Sequence, residues 1–148
     1  MDPAYGASGL PGMGSTVDGE SRTFLKNDTH FAELGIRIKS DTVDDTDGHT
    51  PATKLRAGLV LVRVEAAGDH LGKYVEVGNA SCPAEADIES AVILMGYVNM
   101  KGFDGEVEDK LASGLIHGFV DESKVIWGTA DAGIIDAIKA VLPQVMFL

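Results

Sequence analysis

Apolar positions along the chain alternate between two kinds of run. In Leu55–Val77 the side chains of Leu59, Val60, Leu61, Val62 and Val64 place apolar, largely β-branched groups on both faces of an extended segment. That pattern predicts a strand covered on both sides. Gly58 precedes it, Gly68 marks a turn, and Gly72 leads into Lys73–Val77, where extension resumes as a β-hairpin or β-corner. Ala91–Val98 repeats the two-faced pattern and predicts a second buried strand. By contrast, Gly35–Ser40 alternates apolar with polar, the mark of a half-buried strand able to pair with an edge in its own or another chain. Gly114–Val120 and Lys124–Trp127 predict further short strands, separated by Gly102–Gly105 and Asp121–Ser123 as turns.

The C-terminal pattern has a different period. Ile134, Ile135, Ile138, Val141 and Leu142 form one stripe, Thr129 suits the N-cap, Asp131 lies in the first turn, and Pro143 stops the run. A helix over 130–142 is predicted. The tail Gln144–Leu148 is too apolar to stay in water and must dock on this chain or a neighbour.

Residues 1–21 show no apolar periodicity and are rich in glycine and proline, without lysine or arginine. Ordering the backbone costs roughly 1–2 kcal/mol per residue, which such a stretch cannot recover by burial. A flexible N-terminal arm is expected, reaching to residue 34, with the β-rich domain over 35–148. Asp41–Gly48 resembles a calcium loop only superficially. With Gly48 at the sixth position, the first and twelfth fall on Val43 and Lys54, where carboxylates are required. It is expected to be a solvated turn.

Length and charge then narrow the function. A chain of 148 residues can bury a core as one domain. Its formal charge of −11 and scattered basic residues disfavour nucleic acid and anionic membranes as partners. A single cysteine, Cys82, precludes an intrachain disulfide framework and fits a reducing compartment. No basic segment followed by an apolar run opens the chain, so no secretory leader is expected.

Candidate chemistry is sparse. His30, His49, His70 and His117 have no metal-ligand spacing, and the expectation is three solvated turn histidines and one strand histidine, His117. Cys82 sits among acidic residues, which disfavour the thiolate. Neither catalytic residues nor cofactor or metal sites are predicted. Tyr74, Trp127 and Phe147 are candidate anchors of a core or a trimer contact.

The succession Ile36–Val43, then Lys54-Leu55-Arg56-Ala57-Gly58-Leu59-Val60-Leu61, then Gly72-Lys73-Tyr74, resembles the head decoration (capsid-cementing) proteins of tailed bacteriophages, lambda-like type. The similarity continues through Ala91–Val98 and Gly114–Val120, covering roughly residues 23–127. The resemblance implies a mainly β, β-clip-like domain with short helices, a homotrimer on the outer capsid surface at three-fold and quasi-three-fold sites, and the major capsid protein as partner. It implies virion localisation, preceded by the host cytoplasm, with no enzymatic activity and no cofactor. In such proteins the arm orders on the shell by strand addition. Carried onto this chain, that role falls to Phe24, Leu25, Phe31, Leu34, Ile36 and Ile38, in keeping with the alternating strand beside them. Deleting residues 1–34 is expected to leave a folded trimer. Another β-rich virion protein, such as a tail or appendage subunit, and a small ligand-binding domain are the alternatives.

Overall fold

A computed structural model describes residues 24–27 and 29–148. Among these, the strands are β1 (Ala32–Ile38), β2 (Lys54–Leu55), β3 (Val60–Arg63), β4 (Tyr74–Glu76), β5 (Ala91–Leu94), β6 (Val98–Asn99), β7 (Lys110–Val120) and β8 (Val145–Phe147). One α-helix, α1 (Ala132–Ala140), and three short 3-10 turns complete the described part, so the fold is mainly β with short helices.

The main sheet runs in the order β1-β4-β3-β5-β7-β8, and β7 also pairs with β1. The first five strands of that order therefore close on themselves. β3 pairs antiparallel with both β4 and β5, which makes Leu55–Val77 the expected hairpin. β2 and β6 form a separate two-stranded ribbon.

Closure explains why β3 and β5 are apolar on both faces. Leu59 and Leu61, with Val92 and Leu94, meet Ile36, Ile38 and Tyr74 in a cluster that fills the ring. Val60 and Val62, with Ala91 and Ile93, point the other way into a second cluster with Leu115, Phe24, Ile138, Leu142 and Val145. Each strand is thus a wall shared by two cores, and alternation has no polar face to show.

Several elements differ from expectation. The helix is shorter than 130–142, because Asp131 rather than Thr129 caps it, its carboxylate accepting from Ile134 N at 2.9 Å. The Thr129 hydroxyl instead donates to the Val77 carbonyl at 3.2 Å, tying the loop to the residue that follows β4. Residues 124–127 do not form a strand; a 3-10 turn over Glu122–Lys124 leads into a single bridge between Ile126 and Leu59. β5 stops at Leu94, and the chain resumes extension only at Val98 on a different ribbon. The apolar tail docks on its own chain, as β8 parallel to Gly118–Val120 of β7.

The proposed boundary between residues 34 and 35 cuts through β1. Phe24 is fully buried and Leu25 bridges Val120, so the folded body extends upstream at least to Phe24. Residues 1–23 of the expected arm lie outside the described residues.

The acidic turn is not simply solvated. Thr42 and Asp44 are each only 1% exposed, and the Asp44 carboxylate takes three hydrogen bonds from Arg56. The sequence showed a run of acids; the fold turns one of them inward.

Candidate functional site

The sequence proposed β1 as a pairing edge, and its register with β7 settles which of its groups are free. Met95 N donates to Ser113 O at 3.0 Å, so the main-chain polar groups of Ser113 face β5. Gly35 lies opposite Ser113. In an antiparallel pair such a position is not hydrogen-bonded to the partner, and the N–H and C=O of Gly35 point away from β7. Glu33 shares that orientation by the period of two, whereas Leu34 and Ile36 bond to β7.

Outside β1, the next strand is β4, but it meets β1 only at Ile38–Tyr74, with Lys39 N donating to Tyr74 O at 3.0 Å. From Ala32 to Ile36 the outer edge of β1 therefore has no strand beside it among the described residues. Glu33 and Gly35 are exposed there, and a Cβ built on Gly35 would meet nothing within 4 Å. Glu33, Arg37 and the register shift at Ala32/Glu33 blunt this edge in part, but its outward main-chain groups still offer hydrogen bonds to an added strand.

The residues expected to grip a partner divide in two. Phe24, Ile36 and Ile38 are 0%, 5% and 0% exposed and belong to the two cores of their own chain. Their side chains are committed to the fold, which corrects their assignment as partner-facing. Leu25 and Phe31 pack partly against the outer core. Only Leu34, 43% exposed, keeps much of its side chain outside. What β1 offers outward is therefore backbone, together with Leu34 and the charges of Glu33 and Arg37.

Of the three candidate anchors, Tyr74 is a core residue, 5% exposed, its hydroxyl 3.1 Å from Ser90 Oγ. Trp127 and Phe147 stack with ring centroids 5.5 Å apart at the rim of the outer core. Lys139 lies over both rings, 5.8 and 5.2 Å from their centroids, and pairs with Glu122.

Sequence reasoning did not single out the exposed apolar side chains around the ribbon's other edge. Tyr97 (52% exposed) and Leu111 (75% exposed) line a shallow cleft of about 360 Å³ with Glu33, Met95 and Val98, where β5 has ended and β7 continues beside β1. Phe103, at the tip of the 101–107 turn, is fully exposed. Single apolar residues in a sequence carry no sign of exposure, and Leu111 stands uncovered although β7 is paired there with β1.

A larger cleft of about 410 Å³ lies between Arg56, His49, Asp47, Tyr97 and Lys124. Asp44 holds Arg56 there by its Nε and Nη2 atoms and raises the guanidinium above its ordinary pKa. The cleft beside His117, about 530 Å³, is bordered by Phe119, Lys139, Pro143 and Phe147 with no carboxylate among its lining residues. His117 stands in β7 as expected, but His30 is no isolated turn histidine: its ring contacts His117. Burial, and then Glu76, push the Cys82 thiol up, which keeps it protonated. Among the described residues no group of three or more His, Cys, Asp or Glu is disposed to hold a metal ion, and no helix is long and apolar enough to cross a membrane.

No protein-family model matches the chain, and neither curated proteins nor solved structures give a match.

Proposed function

We propose that this chain is a head decoration protein of a tailed phage, a non-catalytic homotrimer that binds the outer surface of the capsid at three-fold and quasi-three-fold sites. Its partner is the major capsid protein, and it resides on the virion after synthesis in the host cytoplasm. The reading rests on the sequence resemblance, and one structural observation supports it: the outer edge of β1 at Glu33 and Gly35, which has no strand beside it among the described residues and lies where the expected arm meets the body. Strand addition at such an edge supplies main-chain hydrogen bonds without demanding particular side chains.

The mechanism is mechanical. Packaged DNA presses outward on a shell whose subunit contacts are individually modest. A trimer that engages neighbouring subunits at once adds contacts that must all break before the subunits part. Three attachment points on one body also make rebinding intramolecular, so the trimer leaves far more slowly than any one of them. The formal charge of −11 suits the outside of a DNA-filled container, where affinity for nucleic acid serves no purpose.

Mixing the purified protein with undecorated expanded heads, sedimenting the mixture and imaging the pellet tests this. Density at the three-fold positions is the expected result. Protein that stays in the supernatant, or that binds isolated tails instead, overturns it.

A further inference from the structure

His30 and His117 are 87 positions apart in sequence, yet their Nε2 atoms lie 3.3 Å from each other. His30 comes from the segment that leads into β1, and His117 from the middle of β7. Three features hold this meeting in place. A register shift between Ala32 and Glu33 bends the chain just after His30. Residue 118 is glycine, and a Cβ there would come within 3.2 Å of Phe31 Cβ and 3.6 Å of the His30 carbonyl, so the absence of a side chain lets the two backbones lie together. Phe119 flanks the His30 ring at 6.0 Å on one side while His117 meets it edge-on at 5.1 Å, with the rings inclined by 70°.

The spacing is informative about chemistry. An N–H donor normally sits about 2.9–3.0 Å from its acceptor, so 3.3 Å is long for a hydrogen bond between the imidazoles. Two nitrogens bound to one tetrahedral zinc ion at about 2.0–2.1 Å stand about 3.3–3.4 Å apart, from the tetrahedral angle alone. The two rings thus present their Nε2 atoms at the separation that a shared ion requires.

We propose that His30 and His117 form a two-histidine site for a divalent transition-metal ion of the zinc type, with water completing the coordination. Two imidazoles make a modest site, not a permanent structural one. Its consequence is local: a bound ion would add a cross-link between β7 and the chain just before β1, in a stretch that Phe24 and Leu25 already anchor upstream. This inference stands apart from the decoration reading and does not need it.

Zinc chloride titrated into the full chain, freed of metal beforehand, tests the site through the imidazole nitrogen resonances and through calorimetry. One ion per chain is expected, with the ring nitrogens of His30 and His117 shifting, Nε2 most, and those of His49 and His70 unmoved. His30→Ala and His117→Ala should each weaken affinity at least about tenfold, while His70→Ala leaves it unchanged. Because the rings must be unprotonated to bind, affinity should fall on acidification. The proposal is overturned by unmoved His30 and His117 resonances at millimolar zinc, by shifts at His49 or His70 instead, or by full affinity in either alanine variant. The resonance measurement is made on the unaltered chain, so misfolding of a variant does not blunt it.

Discussion

Arg56 grips Asp44 with a two-pronged contact, Nε to Oδ2 at 2.8 Å and Nη2 to Oδ1 at 2.9 Å, while the Arg56 backbone N–H adds a third bond at 3.0 Å. The Asp44 side chain is fully buried and that of Arg56 is 27% exposed. Arg56 Nη2 also reaches the Thr46 carbonyl at 3.2 Å, so one guanidinium staples the 41–48 turn to the start of the central hairpin. Lysine could neither fork onto both oxygens nor reach the carbonyl at once.

Arg56→Ala should therefore be severe, because it strands a buried carboxylate; a loss of about 3–5 kcal/mol is expected. Arg56→Lys should recover only part of it, and Asp44→Ala combined with Arg56→Ala should cost less than the sum of the two single changes. Urea unfolding of the four variants and the unaltered chain checks this, and strictly additive losses would contradict the coupling.

Gly114 in β7 is needed for packing rather than for backbone freedom. A Cβ there would fall 2.4 Å from Val92 Cβ, inside the filled ring where Val92 is fully buried. Gly114→Ala should cost about 1–3 kcal/mol through overpacking, and adding Val92→Ala should relieve part of the clash. Thermal denaturation of the single and double variants distinguishes this from a simple loss of strand pairing.

Asp109 joins three elements: its carboxylate accepts from Lys73 Nζ at 2.7 Å and from Ser40 N at 2.9 Å. The Lys73 hydrogen bond, against some desolvation, holds its pKa below the usual 3.8. A depressed carboxylate pKa means that the unfolded chain takes up the proton more readily. The stabilisation is thus complete above the unfolded value and disappears as pH falls through the folded one. Asp109→Asn should destabilise the protein by less than about 1 kcal/mol at neutral pH, as befits a partly exposed pair. The difference from the unaltered chain should vanish in strong acid, which chemical denaturation over a pH series would show.

The position of Phe24 separates two truncations. A chain of residues 24–148 keeps the buried ring and all of β1, whereas 35–148 loses both Phe24 and the first residues of β1. Losing a buried phenylalanine alone costs about 3–5 kcal/mol. The longer fragment should melt close to the full chain but sediment with undecorated heads more weakly, since it keeps the β1 edge and loses the leading residues; the shorter should be largely unfolded by circular dichroism. Head binding by the 24–148 fragment equal to that of the full chain would exclude the leading residues from attachment.

Local pattern was enough to reveal what each stretch buries. The two-faced runs at Leu59–Val64 and Ala91–Leu94, the alternation around Ile36, and the stripe through Ile138 all name an environment, because hydrophobic burial acts on every residue by the same rule wherever its partners lie. Partner identity is not written in that pattern. That β7 pairs with β1 and closes the ring, that Asp44 turns inward to Arg56, and that His30 meets His117 across 87 positions all depend on chain segments distant in sequence meeting at one register. The open edge of β1 arises in the same way: among the described residues, Glu33 and Gly35 have no strand on the side away from β7 because β4 touches β1 only at Ile38, a matter of where neighbouring strands end. The tendency to be buried follows from each side chain's chemistry, while edges, clefts, ion pairs and the exceptions at Asp44 and Leu111 are decided by the closure, which exists only once the tertiary structure has formed.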